Sequence, residues 1–361
     1  MIPQMEPWFT QEEADAVYKY MTAGGWLTEF RQTEAFEKAI ADFTGARHCI
    51  VVNNGTISLS LAAMAAGIGA GDEVIVPDYT MIATPNSLRL FGAVPVFVDV
   101  ELETLCLDLD LCEQALTDRT RALILVTANG RYPRAGIAAF EGFCKRHDLM
   151  LIEDSAQSLG CNFPDGRHMG RAGCIGSFSF SAPKVISTGQ GGALITDKDE
   201  LATALRQLKD FGRASGGNDI HPVMGWNFKF TDLQAVVGIE QMKKLDDRLQ
   251  RKREMHQRYT DNLQDVPGVT LFDQDLEHTA PWFIDALVED REALIDHLRA
   301  NEIGSRVMYP PINHQEAYGI NGSFPAAERV GTHGLWLPSA AQLSNDDIDR
   351  VCEVIRSGSK R

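Results

Sequence analysis

The sequence predicts an α/β fold, a mostly parallel sheet covered by helices on both faces and followed by a smaller α+β unit. Three observations carry that prediction. Between residues 49 and 155, short apolar runs alternate with stretches whose apolar residues recur every three or four positions. Two more strand-like runs then bracket the glycine-rich stretch SAPKVISTGQGG. Finally, a long amphipathic stretch leads into a region where strand and helix patterns mix.

The strand-like runs are CIVVN (49–53), EVIVP (73–77), PVFVDV (95–100), RALILVT (121–127) and MLIEDS (150–155). Near-continuous apolar strands of this kind belong to a parallel sheet buried on both faces. Between them, TISLSLAAMAAGI, TPNSLRLFG, LDLCEQAL and GIAAFEGFCKRHD supply the crossover helices. IGSFSFS and GALIT add a hairpin whose turn holds Lys184. A helix over 199–212 and a Gly-rich loop follow, and residues 231–263 then read as one long helix with Thr231 or Asp232 as its N-cap. That stretch bridges two domains, 1–240 with an N-terminal helical arm and 241–361, the latter with FIDALV as a strand and REALIDHLRANEIG and SNDDIDRVCEVIRSG as helices.

Composition narrows the classes of function. A net charge of −16 argues against nucleic acid or an anionic membrane surface as partner. The N-terminus has no basic-then-apolar leader, and no apolar run approaches the roughly 18 residues of a membrane span, so a cytoplasmic protein is expected. Seven scattered cysteines without a C-x-x-C pair fit reduced thiols, and nine histidines show no ligand spacing, so no metal is expected.

Three features converge at strand ends, where open sheets of this kind bind ligands. NNGT (53–56) ends a strand and opens a helix: Gly55 allows a tight turn, and the helix N-terminus offers free N–H groups to an anion. Taken alone, it is equally an ordinary junction capped by Thr56. Asp154 closes a very apolar strand, as a desolvated carboxylate seeking a cationic or N–H partner or as a helix cap. Lys184 lies 30 residues further on, with Ser179 five positions before it. A lysine made nucleophilic by burial, a nearby acid and an anion cradle together point to a phosphate-bearing Schiff-base cofactor, pyridoxal phosphate.

These stretches resemble the DegT/StrS-type aminotransferases, which act mainly on keto sugars of nucleotides. The likeness runs through NNGT, GIGAGDEVIVP, VPVFVDV, LIEDSAQSLG, GSFSFSAPKVISTGQGGALITD and GWNFKFTDLQAVVGIEQMKKLD, in order over most of residues 10–340. It implies the aspartate-aminotransferase-like fold, pyridoxal phosphate as cofactor, and Lys184 as the lysine that bonds it. By the same resemblance Asp154 pairs with the pyridine nitrogen, Gln157 lies beside the ring hydroxyl, and Thr56, the Ile57 backbone and Ser179 cradle the phosphate. Asn227 would reach the phosphate of a neighbouring subunit, making the active unit a homodimer with shared sites. Lys229 falls near the substrate in this pattern. Glutamate is the amino donor the resemblance implies, and a 4-keto-6-deoxy sugar on a nucleotide the acceptor. Another cyclic ketone and a non-catalytic regulator stay open as alternatives. A lysine at 184 argues against the dehydratase branch, which carries histidine there.

The chain also departs from the family pattern. Met81 stands where relatives stack an aromatic ring on the cofactor. LVTANGRYP (125–133), Asn313 with His314 beside it, and Glu29–Phe30 replace the usual residues of substrate-facing regions, and Gln190 replaces a frequent glutamate.

Overall fold

The computed structural model describes residues 1–215 and 219–358. Two helices open the chain, α1 (Gln11–Thr22) and α2 (Arg31–Thr44). Strands and helices then alternate: β1 (His48–Val52), α3 (Gly55–Ala65), β2 (Glu73–Pro77), α4 (Ala83–Arg89), β3 (Val94–Val98), α5 (Leu109–Gln114), β4 (Thr120–Val126), α6 (Ile137–Arg146) and β5 (Met150–Asp154). After β6 (Ile175–Ser179) and β7 (Gly192–Thr196) come α7 (Asp199–Lys209), α8 (Asp232–Met242) and α9 (Leu245–Leu263). The remainder is β8 (Val269–Leu271), β9 (Ile284–Val288), α10 (Arg291–Ala300), β10 (Arg306–Val307), α11 (Pro325–His333), β11 (Gly334–Leu337) and α12 (Asn345–Gly358).

The first seven strands form one sheet in the order β1-β7-β6-β5-β4-β2-β3. Its pairs are parallel except those of β7, which runs against β1 and β6. Alternation along each strand splits the core in two. Val51, Ile75, Leu123, Leu125 and Leu151 face one way, onto Phe36 and Ile40 of α2 and Phe140 and Phe143 of α6. Ile50, Val52, Val74, Val76, Ile124 and Ile152 face the other, onto Leu61 and Ala62 of α3 and Leu201 and Leu205 of α7. Burial on both faces is why these runs read as continuously apolar. The last four strands make a second sheet, β10-β11-β9-β8, antiparallel throughout, over a core of its own.

The stretch read as one long helix is two, because the chain turns at Lys243–Lys244. The Lys244 N–H closes on the Gln241 carbonyl, three residues back rather than four, and the Lys244 ammonium is drawn to Thr10 and to Glu13 of α1. No Gly or Pro marks the break; a tertiary contact does. Thr231 caps α8 through the Gln234 N–H, while Asp232 accepts from the N–H groups of Phe30, Gln32 and Thr33 at the start of α2. Beyond the turn, α9 sends Leu245 and Leu249 into the large-sheet core and Met255, Tyr259 and Leu263 into the small one.

Candidate active site

The carboxyl ends of β1, β2, β4, β5 and β6 lie along one edge of the large sheet, and the side chains that leave it there line a cavity of about 780 Å³. At the end of β1 the Asn54 carboxamide oxygen accepts the Ile57 N–H at 2.9 Å, so Asn54 rather than Thr56 caps α3. That bond uses the Ile57 N–H and leaves those of Gly55 and Thr56 without an acceptor among the described residues. A Cβ on Gly55 would sit 2.9 Å from the Cβ of Ser179, so only glycine lets the turn lie this close to that hydroxyl. Ser179 and Ser181 hold each other only at 3.3 Å, leaving hydroxyl capacity for another partner.

Asp154 ends β5 buried beneath the cavity. The Thr84 hydroxyl donates to it at 2.7 Å and the Ala156 N–H at 3.2 Å, while Thr80 in turn contacts Thr84. Burial pushes the Asp154 carboxyl above the ordinary carboxylate range, against the pull of those bonds. Lys184 sits in the connection between β6 and β7. Phe178 and Phe180 anchor that connection in the core, 1% and 0% exposed, and the Lys184 N–H donates to the Ser181 carbonyl at 3.0 Å. Burial pushes the Lys184 amine down to about 8, and the charge of Asp154 acts the other way. A larger share of this lysine is therefore neutral near pH 7 than of an exposed one.

Gly55, Thr56, Ile57, Met81, Asp154, Gln157, Ser179 and Lys184, all singled out from the sequence, line this one cavity. Met81 is 44% exposed and turns its sulfur back onto the Ala83 N–H at 3.0 Å. Asn227, Lys229, Asn313 and His314 do not line it. Asn227 is exposed, in a bridge with Asp210. Lys229 pairs with Asp210 at 2.9 Å and lies over the Phe211 ring. Asn313 donates its amide to Glu328 at 2.9 Å, and His314 is exposed.

Two departures from the family pattern serve packing within the chain. In LVTANGRYP, the Asn129 N–H donates to Gln157 at 2.6 Å, its side chain pairs in both directions with the backbone of Phe283, and Arg131 grips Asp285 on β9. The segment fastens the large sheet to the small one. Glu29 meets the buried ammonium of Lys209 at 3.0 Å. Sequence reading missed Thr84, Trp282, Arg306 and Tyr309, which are among the other residues of the lining. Trp282, Arg306 and Tyr309 come from far along the chain, in short segments without periodicity.

A family model matches residues 8–356 of this chain, that of the DegT/DnrJ/EryC1/StrS aminotransferases. The chain belongs to the DegT/DnrJ/EryC1/StrS aminotransferase family. It is 33% identical over 358 residues to GDP-perosamine synthase of Escherichia coli O157:H7, covering 98% of this chain and 97% of that one. To GDP-perosamine synthase of Caulobacter vibrioides it is 35% identical over 329 residues, 88% and 87% of the two chains. Among solved structures it matches DesV of S. venezuelae with a TM-score of 0.91 and 32% identity, over 97% and 95% of the chains. The fold is thus that of a pyridoxal-phosphate-dependent aminotransferase, and the family's enzymes are sugar aminotransferases.

The cavity fits that cofactor. The unpaired N–H groups of Gly55 and Thr56, at the positive end of α3, with the Ser179 hydroxyl against them, form an acceptor-free nest for a phosphate. Asp154 is the one carboxylate among the lining residues, and as an anion it would hold a protonated ring nitrogen. Lys184 supplies an amine in the same space.

Proposed function

We propose that the chain transfers an amino group from glutamate to a keto sugar carried on a nucleotide, a 4-keto-6-deoxy sugar of the perosamine type. The observation that carries this reading is the meeting of Lys184, Asp154 and the Gly55–Ser179 nest in one cavity. The acceptor is inferred from the relatives named GDP-perosamine synthase.

When bound, pyridoxal phosphate supplies an aldehyde for amine exchange and a ring that delocalises the electron pair released at the substrate carbon. The chain's own residues do the rest. Gly55, Thr56 and Ser179 would hold the phosphate, and Asp154, its carboxylate fixed by Thr84, would keep a proton on the ring nitrogen. Gln157, oriented by the Asn129 N–H, would stand beside the ring hydroxyl. Lys184 would be the residue that bonds the cofactor's aldehyde, and its Nζ, when free, the group that holds and moves a proton beside the substrate carbon. A neutral amine is required for the first role, and burial favours it. Asn227, outside its own chain's cavity, would serve a second copy in a homodimer, whereas Lys229 and Asn313, expected from the sequence to meet substrate, are held by Asp210 and Glu328 outside the cavity lining, as is the exposed His314.

The test is incubation with glutamate and a panel of nucleotide-linked keto sugars, read by mass spectrometry. An aminated sugar with matching 2-oxoglutarate is expected; no turnover with any member overturns the assignment. Borohydride reduction of the cofactor-loaded chain should fix the pyridoxyl group on the peptide containing Lys184.

A further inference from the structure

Trp282 enters the cavity from the segment TAPWF that leads into β9, 99 residues along the chain from Pro183. It is 4% exposed and held from every side. Its ring stacks on Phe283 with centroids 3.9 Å apart and meets Trp336 edge-on at 5.7 Å. The backbone of Phe283 is tied to the side chain of Asn129 in both directions. The Trp282 carbonyl accepts from Lys252 Nζ at 2.8 Å. Lys252 is itself buried on α9. Its ammonium has two carbonyls, those of Trp282 and Ser339, as hydrogen-bond partners and no carboxylate among the described residues. An amine so placed, pushed down to about 7 by burial, serves to hold backbone.

Two features of this ring face Lys184. The indole N–H donates to the Pro183 carbonyl at 2.7 Å, fixing the residue that precedes the lysine. The Lys184 Nζ lies over the ring, 4.2 Å from its centroid. Among the described residues that amine has neither a hydrogen-bond acceptor nor an ion pair, so the ring face is what locates it.

We propose that Trp282 is the positioning residue for Lys184, carrying the amine on its ring face and tethering the preceding backbone by its indole N–H. This rests on the reading of Lys184 as the lysine that takes the cofactor. Trp282→Phe keeps a ring beneath the amine and loses the tether; Trp282→Leu loses both.

The experiment uses the full chain stripped of cofactor. It is treated with pyridoxal phosphate and borohydride across a pH series, and labelling at Lys184 is followed by peptide mass spectrometry. The wild-type midpoint is expected near 8. Removing the ring withdraws support from the ammonium form, so Trp282→Leu should lower the midpoint by about 0.5 to 1 pH unit and slow labelling roughly tenfold. Trp282→Phe should restore the midpoint while still labelling more slowly, which a loss of bulk packing alone would not produce. A midpoint in Trp282→Leu that stays or rises, with the label still on Lys184, overturns the proposal. Label on another lysine overturns the assignment of Lys184 instead, and the two failures are told apart by the peptide map.

Discussion

The grip of Arg131 on Asp285 sets the strongest stability expectation. The guanidinium meets the carboxylate through two parallel bonds of 2.9 and 2.5 Å, with the two side chains 5% and 1% exposed. Arg131 also donates its Nε–H to the Asp273 carbonyl at 2.9 Å and lies over the Phe272 ring. An ion pair this dry has given up its hydration, so the pair as a whole adds little. Removing one partner strands the other as a buried charge, at a cost of roughly 3–5 kcal/mol. Arg131→Met should therefore destabilise the protein by about 4 kcal/mol, a melting shift of roughly 5 °C for a chain of this length. Adding Asp285→Leu should return at least half of that loss, since the stranded charge is gone. Urea unfolding followed by tryptophan fluorescence, run as a double-mutant cycle, measures both terms. A single-mutant cost below about 1 kcal/mol, or a double mutant no better than Arg131→Met alone, would refute a desolvated, mutually dependent pair.

Two further expectations concern Asp78 and Met81. Asp78 is buried between Asp99 and Glu328, accepts the Asn313 N–H at 2.9 Å, and leaves its second oxygen unpartnered; burial pushes its carboxyl up to about 7. Its folded value lies above the unfolded one, so its contribution to stability is complete below about pH 4 and is lost as pH rises through about 7. Asp78→Asn should accordingly gain on the wild type by roughly 2–3 kcal/mol between about pH 5 and about pH 8, and parallel pH profiles would count against it. Replacing Met81 by Tyr puts an aromatic ring at the cavity wall, where the side chain is 44% exposed. Pyridoxal phosphate should then bind roughly three- to tenfold tighter in a fluorescence titration, and unchanged affinity would show that this wall does not meet the ring.

What the sequence disclosed, and what it hid, follows from the range of the forces involved. The seven strands of the large sheet were legible because burial on two faces writes itself into consecutive residues, as in EVIVP, where all five are buried. The cavity-lining residues Asp154, Ser179 and Lys184 were legible for a related reason: each sits at or just past a strand end, where the topology gathers ligands. The turn at Lys243–Lys244 was not, since the residues that impose it, Thr10 and Glu13, are more than 200 positions away. Lys209 and Lys252 lie on helices α7 and α9 and both are buried, because Glu29 and Glu37 in one case and the carbonyls of Trp282 and Ser339 in the other come from distant segments. Trp282 is hidden for the same reason. Nothing in TAPWF announces that its indole will meet Pro183, and only the closure of the small sheet over the large one, through Asn129 and Arg131, brings it there. Local sequence thus records the groups gathered at the strand ends, while the groups packed around them are recorded in pairs of segments that neither segment reveals alone.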